Sequence, residues 1–139
     1  MATERLDLCN CFASRKAARL ITKMYEEHLA PAGLTSSQFT LLAHVDEVGS
    51  ASIRDLVQAM AMERTSIVRA LQPLERDGLV VQVSDDEDAR RNVVRLTAPG
   101  RQRLEQAIPL WHAAQQAFER KFGAGPAQEM RESVRQLEA

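Results

Sequence analysis

The chain has 139 residues, of which 45% are hydrophobic and 27% charged, and a formal net charge of -1. This composition excludes a disordered or low-complexity chain, and no apolar stretch approaches the roughly 20 residues that a membrane span requires. The near-neutral balance carries no general signature of nucleic-acid binding, so any such function has to come from local placement.

The N-terminal "MATERLDLCN" lacks the charged-then-apolar pattern of an export signal. The two cysteines, Cys9 and Cys11, do not make a secreted disulfide framework. A cytoplasmic protein of one domain over residues 1–139 is therefore expected, with no membrane partner.

From Leu8 to Leu29 the positions Cys9, Phe12, Ala13, Ala17, Leu20, Ile21, Met24 and Leu29 recur at three-to-four spacing, which predicts a long amphipathic helix ended by "APAGLT". Thr35 with Gln38 makes a capping box for a second helix that turns Phe39, Leu42 and Val45 inward. Ser52 caps a short third helix with Ile53, Leu56, Val57 and Met60 on one stripe. After a tight turn, "ERTSIVRALQPLERDG" buries Ile67, Leu71 and Leu74, turns Thr65, Arg69, Gln72 and Arg76 outward, and stops at Gly78. Pro73 is expected to bend this helix without splitting it.

Leu79, Val81 and Val83 alternate with Val80, Gln82 and Ser84, and Val94 and Leu96 with Val93 and Arg95. Two strands are thus predicted around the polar tip "DDEDARRN" at 85–92. Thr97 caps another long helix, striped by Leu104, Ala107, Ile108, Trp111, Gln115, Phe118 and Phe122, with a kink expected at Pro109. Gly123 to Pro126 breaks it before a last helix that carries Met130, Val134 and Leu137 on one side.

Two short helices joined by a tight turn and followed by a hairpin make a winged helix-turn-helix, so the fold is mainly α with a small β-hairpin wing. With the second helix in the major groove of DNA, the wing tip reaches the adjacent minor groove, whose concentrated negative potential draws a guanidinium. Arg90 is the candidate for that insertion, with Arg91 beside it and Asp88 as its orienting partner; Asp85, Asp86 and Glu87 are expected to face solvent.

On the helix, Arg69 suits a bidentate contact to guanine, Thr65, Ser66 and Gln72 suit base edges or phosphates, and Arg64 suits a phosphate. Residues 35–96 hold seven Arg against ten Asp and Glu, so a DNA-facing surface needs its acids turned away. Taken singly, the tip is an ordinary polar turn and the helix face an ordinary solvated one. Their order along the chain is what points to double-stranded DNA; the alternative is a winged-helix protein-interaction module without specific DNA binding.

The segments "GLTSSQFTLLAHV", "IRDLVQAMAMERTSIVRALQPLERDGLV" and "DDEDARRNVVRLTAPGRQRLEQA" resemble the MarR family of bacterial transcription regulators, and Asp88-Ala89-Arg90 matches that family's Asp-x-Arg wing signature. The resemblance implies a DNA-binding lobe over about 35–97, flanked by dimerisation helices over about 6–31 and 98–139. It also implies a homodimer on a pseudo-palindromic operator, acting as a repressor rather than an activator and released by a small aromatic or anionic effector or by thiol oxidation. Independently, the apolar stripes of the terminal helices are longer than so small a domain readily covers by itself.

Cys11 followed by Phe12, with Arg19 downstream, resembles the "CF" stretch of organic-hydroperoxide sensors, whose reactive cysteine is held by tyrosines of the other subunit. Tyr25 occupies one such position, while the other falls at Ser36, so half of that hold is missing and Cys11 with Tyr25 is a candidate redox sensor. A helix start and Arg15 one turn on favour a thiolate at Cys11; the plainer alternative is small thiols buried in a helix interface. On one helix Cys9 and Cys11 would lie about 200° apart, which leaves an intersubunit bond as the only disulfide expected.

His28, His44 and His112 are scattered without ligand spacing, and no phosphate-cradling glycine loop, GxSxG or framed carboxylate pair is present. No metal site, catalytic residue or cofactor is expected, and no enzyme.

Overall fold

The computed structural model describes residues 5–138. Along them run α1 (Asn10–Leu29), α2 (Ser36–Val48), α3 (Ile53–Met60), α4 (Arg64–Arg76), the strands β1 (Val80–Ser84) and β2 (Asn92–Leu96), α5 (Ala98–Phe122) and α6 (Ala124–Leu137). The chain forms two compact units, one of residues 29–109 and one of the stretches before 29 and after 109. The mainly helical fold with a small antiparallel hairpin is as expected.

In the 29–109 unit, local chemistry sets several of the helix boundaries. The Thr35 side chain accepts from Gln38 N–H while Gln38 Oε1 accepts from Thr35 N–H, completing the expected box. Ser52 does the same with Asp55, so α3 also opens on a full capping box. Between α3 and α4 the backbone reverses at Ala61, which sits in the left-handed region at φ 52°. α4 continues through Pro73, as expected, and stops where Gly78 at φ +72° lets Leu79 N–H reach the Leu74 carbonyl. Leu41, Leu42, Val45, Leu56, Ile67, Leu71 and Leu74 form the sealed core of this unit.

The wing pairs Val80 with Leu96 through Ser84 with Asn92. The alternation of β1 is offset from the one expected: Val80 is buried and Val81 exposed. Leu79 is buried in the turn that ends α4, so the strand's period starts one residue later. Ala51 pairs with Val94 on the other edge of β2, which sets the start of α3 directly beside the wing. Thr97 caps α5 by accepting from Gly100 N–H, and its own hydroxyl donates to the Gly78 carbonyl. α5 runs on through Pro109, where the border between the units falls.

The terminal unit is built from α1, the later part of α5 and α6. Ala114, Phe118 and Ala127 are its buried apolar residues among those described. Tyr25 packs against Phe118, which stacks on Phe122, and the Tyr25 hydroxyl donates to Gln115 Oε1. Two boundaries differ from expectation. α1 begins at Asn10, after a short 3-10 turn at Leu6–Leu8 and an extended Cys9. α6 begins at Ala124, because the break is Gly123 alone, at φ +102°; Pro126, which needs no N–H partner in a first turn, lies inside the helix. Leu6, Leu8, Leu20, Phe122, Val134 and Leu137 remain exposed in the single chain. No helix among the described residues is long and apolar enough to cross a membrane.

Candidate nucleic-acid interface

Burial of Ile67, Leu71 and Leu74 turns the other side of α4 outward, so Arg64, Thr65, Ser66, Arg69, Gln72 and Arg76 are all exposed. Arg64, Thr65, Val68, Arg69 and Gln72 line an open groove of about 320 Å³. Val68 escaped the sequence reading because an exposed valine carries no polar signal; in the groove it is an apolar contact of the kind that meets a thymine methyl. Arg64 and Arg69 have no carboxylate partner among the described residues, whereas Arg76 is paired with Asp77 at 3.5 Å.

At the wing tip the Arg90 side chain is 93% exposed. Asp88 Oδ1 accepts from the Arg90 backbone N–H at 3.1 Å and from its Nε at 3.4 Å, which brings together the two residues expected to act as a pair. Arg91 is held differently: its guanidinium bonds the Asp55 carboxylate and lies 3.8 Å from Asp85. Arg95 bonds Asp86 at 2.9 Å.

The expectation that Asp85, Asp86 and Glu87 face solvent holds for Asp86 and Glu87 and is corrected for Asp85. Asp85 is half-buried against Arg91, and Asp86, though exposed, is spent on Arg95. The acid excess of the 35–96 segment is largely internal, with Asp46 on Arg101, Glu75 on the Gln82 amide, and Asp55, Asp77, Asp85, Asp86 and Asp88 on arginines. The Ser52 backbone N–H, and after it the Ser52 side chain and the Arg91 guanidinium, hold the Asp55 carboxyl below the usual carboxylate range. Asp55 itself was not singled out from sequence: its arginine lies 36 positions away.

A separate cleft, of about 310 Å³, is lined by Cys9, Cys11, Phe12, Arg15 and Arg19. Neither thiol is in a disulfide. Cys9 lies outside the helix, where its Sγ accepts from Phe12 N–H at 3.4 Å, and Cys11 is exposed at the second position of α1. The helical-angle argument against their pairing therefore does not apply, and they are not buried in the single chain. Tyr25 follows Cys11 by fourteen positions on one helix, about 21 Å, so the two do not meet within a chain. The Tyr25 hydroxyl is already given to Gln115, and burial, then Glu119, pushes its pKa upward. Among the described residues no group of three or more His, Cys, Asp or Glu is placed to hold a metal ion.

A sequence model of the MarR family matches residues 32–91, the helix-turn-helix and wing. The HTH-type transcriptional repressor NicR of Pseudomonas putida is 30% identical over 110 residues, covering 79% of this chain and 68% of NicR. The chain spans about two thirds of the length of the first curated relatives it matches. The M. tuberculosis transcriptional regulator MosR, solved in complex with DNA, is 35% identical with a TM-score of 0.79, covering 94% of this chain and 93% of MosR. Bordetella bronchiseptica BpsR, whose DNA binding is regulated by 6-hydroxynicotinic acid, shares the fold at a TM-score of 0.84 and 20% identity, with 98% and 97% covered.

Proposed function

The chain belongs to the MarR family of DNA-binding transcriptional regulators, and from that premise we propose that it acts in the cytoplasm as a homodimeric repressor on a pseudo-palindromic operator. In this reading α4 enters the major groove, where Arg69, Thr65, Ser66 and Gln72 meet base edges and phosphates and Arg64 meets the backbone. Arg90, oriented by Asp88, enters the minor groove. The observation that carries it is that Arg64, at the start of α4, and Arg91, at the wing, line one cleft of the same compact unit, while Asp55, Asp85 and Asp86 near them are paired with arginines. Family membership sets aside the alternative of an interaction module without DNA.

The exposed apolar residues of the terminal unit support self-association, because a second copy is the economical cover for Leu20, Phe122, Val134 and Leu137. Release by a small aromatic or anionic effector is supported by analogy with BpsR. A second reading, oxidation at Cys11, is supported by the exposed thiol sharing a cleft with Arg15 and Arg19. It gains nothing from Tyr25, whose hydroxyl is committed elsewhere.

The test is an anisotropy titration with DNA fragments from beside the protein's own gene. Replacing Arg69 with Ala is expected to weaken specific binding by about 1–3 kcal/mol, and an unchanged affinity would remove α4 from the interface. Peroxide-dependent DNA release that survives Cys11→Ser would end the oxidation reading.

A further inference from the structure

We infer that the cleft at the base of the wing is a seat for one backbone phosphate of duplex DNA, distinct from the outer face of α4, in which Arg54 and Arg64 supply the charge and Asp55 limits it. The inference rests on the reading of α4 and the wing given above.

The cleft measures about 390 Å³ and its lining includes Ser52, Arg54, Asp55, Arg64, Arg91 and Asn92. Its cations differ in availability. The Arg91 guanidinium is bonded to Asp55 and close to Asp85, whereas Arg54 and Arg64 have no carboxylate partner among the described residues. Two free guanidiniums from different helices converge on one concavity, an arrangement suited to the several acceptor oxygens of a phosphodiester.

The ligand is a duplex backbone rather than a free anion because Arg64 belongs to two cavities. It lines the groove of α4 as well as this cleft, so a strand following α4 passes directly from one to the other.

Asp55 has the opposite effect on the same cleft. Its carboxylate accepts from Ser52 N–H, closing the α3 cap, and takes up Arg91. The charge of Arg91 is thereby offset by a neighbouring carboxylate at the surface, so it contributes less to counterion release, on any sequence, than Arg54 or Arg64. Asp55 thus restrains binding to DNA in general and leaves discrimination to α4.

The test uses the full chain, a mixed-sequence duplex and a fragment it binds specifically, titrated between about 50 and about 200 mM salt. Arg54→Gln is expected to weaken both complexes by the same factor, roughly three- to tenfold, and, with one seat lost from each protomer of the homodimer, to flatten the log–log salt slope by about 1.8. Asp55→Asn retains an acceptor for the Ser52 N–H and is expected to act in the opposite sense, tightening mixed-sequence binding and steepening the slope.

An unchanged slope in Arg54→Gln, or a changed ratio between the two duplexes, overturns the proposal, as does weakened mixed-sequence binding in Asp55→Asn. If inorganic phosphate raises the melting temperature through Arg54 while duplex binding ignores that substitution, the cleft is a small-anion pocket and the proposal fails. Arg69→Ala separates this from the parent reading: a silent Arg69→Ala beside an effective Arg54→Gln removes the base-reading face of α4 and keeps the seat at its first residue, Arg64.

Discussion

The guanidinium of Arg91 holds the carboxylate of Asp55, so the wing tip is joined to the first turn of α3 across 36 positions of sequence. The same carboxylate closes the α3 capping box by accepting from Ser52 N–H at 3.0 Å. One acid therefore sets where a helix starts and where the wing sits. Both side chains are more than 40% exposed, at 46% and 43%, so water screens the pair and its energetic worth is small. Replacing Arg91 with Ala is expected to lower stability in urea by no more than about 1 kcal/mol, while amide exchange at the tip, where Asp85 N–H bonds the Arg91 carbonyl, accelerates more than in α4. A loss well above that figure with unaltered tip exchange would make the pair a structural strut and not a positioning device.

The depressed Asp55 pKa has a definite sign in stability. The Ser52 backbone N–H contributes most to it, with smaller help from the Ser52 side chain and Arg91 and a smaller opposing push from burial. A carboxyl held below its unfolded value adds stability that is fully present above that value, near 3.8, and is lost as pH falls through the lower folded value. The wild-type chain is therefore expected to lose more stability than Asp55→Asn on acidification from about pH 5 to about pH 3. The difference will be modest, because Asp55 is well exposed. Equal losses in urea midpoint for the two proteins would show that Asp55 contributes no pH-linked stability.

The elements most legible in the sequence are those whose determinants lie within one turn of each other. Thr35 with Gln38, Gly78 after α4, and Thr97 before α5 act through local hydrogen bonds and stand where their spacing placed them. The Asp88–Arg90 contact is equally local. The pairs Asp55–Arg91 and Asp86–Arg95, by contrast, exist only once Ala51 has paired with Val94 and the hairpin register is set, so no local pattern announces them. The offset in β1 has a related cause: Leu79 is apolar because a turn buries it, which imitates one more residue of strand alternation.

Two small residues make opposite predictions in the same unit. A Cβ placed on Gly100 would stand 1.9 Å from the Leu79 carbonyl oxygen, which already accepts from Thr97 N–H at 3.0 Å. That obstruction is backbone and cannot rotate away, so Gly100→Ala is expected to cost about 1–3 kcal/mol or more, as overpacking does, and to disturb the junction of wing and α5. Ala61 instead holds a left-handed φ of 52°, which glycine adopts without a Cβ penalty. Ala61→Gly is expected to be neutral or to stabilise by up to about 1 kcal/mol. Denaturant midpoints for both variants check the pair, and a stable Gly100→Ala would mean that α5 shifts freely away from Leu79.

Asp88 offers a separation of stability from function. Its ion pair with Arg90 is open to water, with side-chain exposures of 49% and 93%, so Asp88→Ala is expected to leave unfolding free energy unchanged within about 0.5 kcal/mol. Binding should respond, because Asp88 Oδ1 contacts both the backbone N–H and the Nε of Arg90 and so limits the directions its guanidinium can take. If Asp88 acts only by aiming Arg90, its removal weakens specific DNA binding in the wild-type background and changes nothing once Arg90 is already Ala. A double-mutant cycle on the bound fragment measures this coupling. Equal losses in the two backgrounds would show that Asp88 shapes the tip without Arg90, and the wing would then contact DNA through its backbone path and not through one oriented guanidinium.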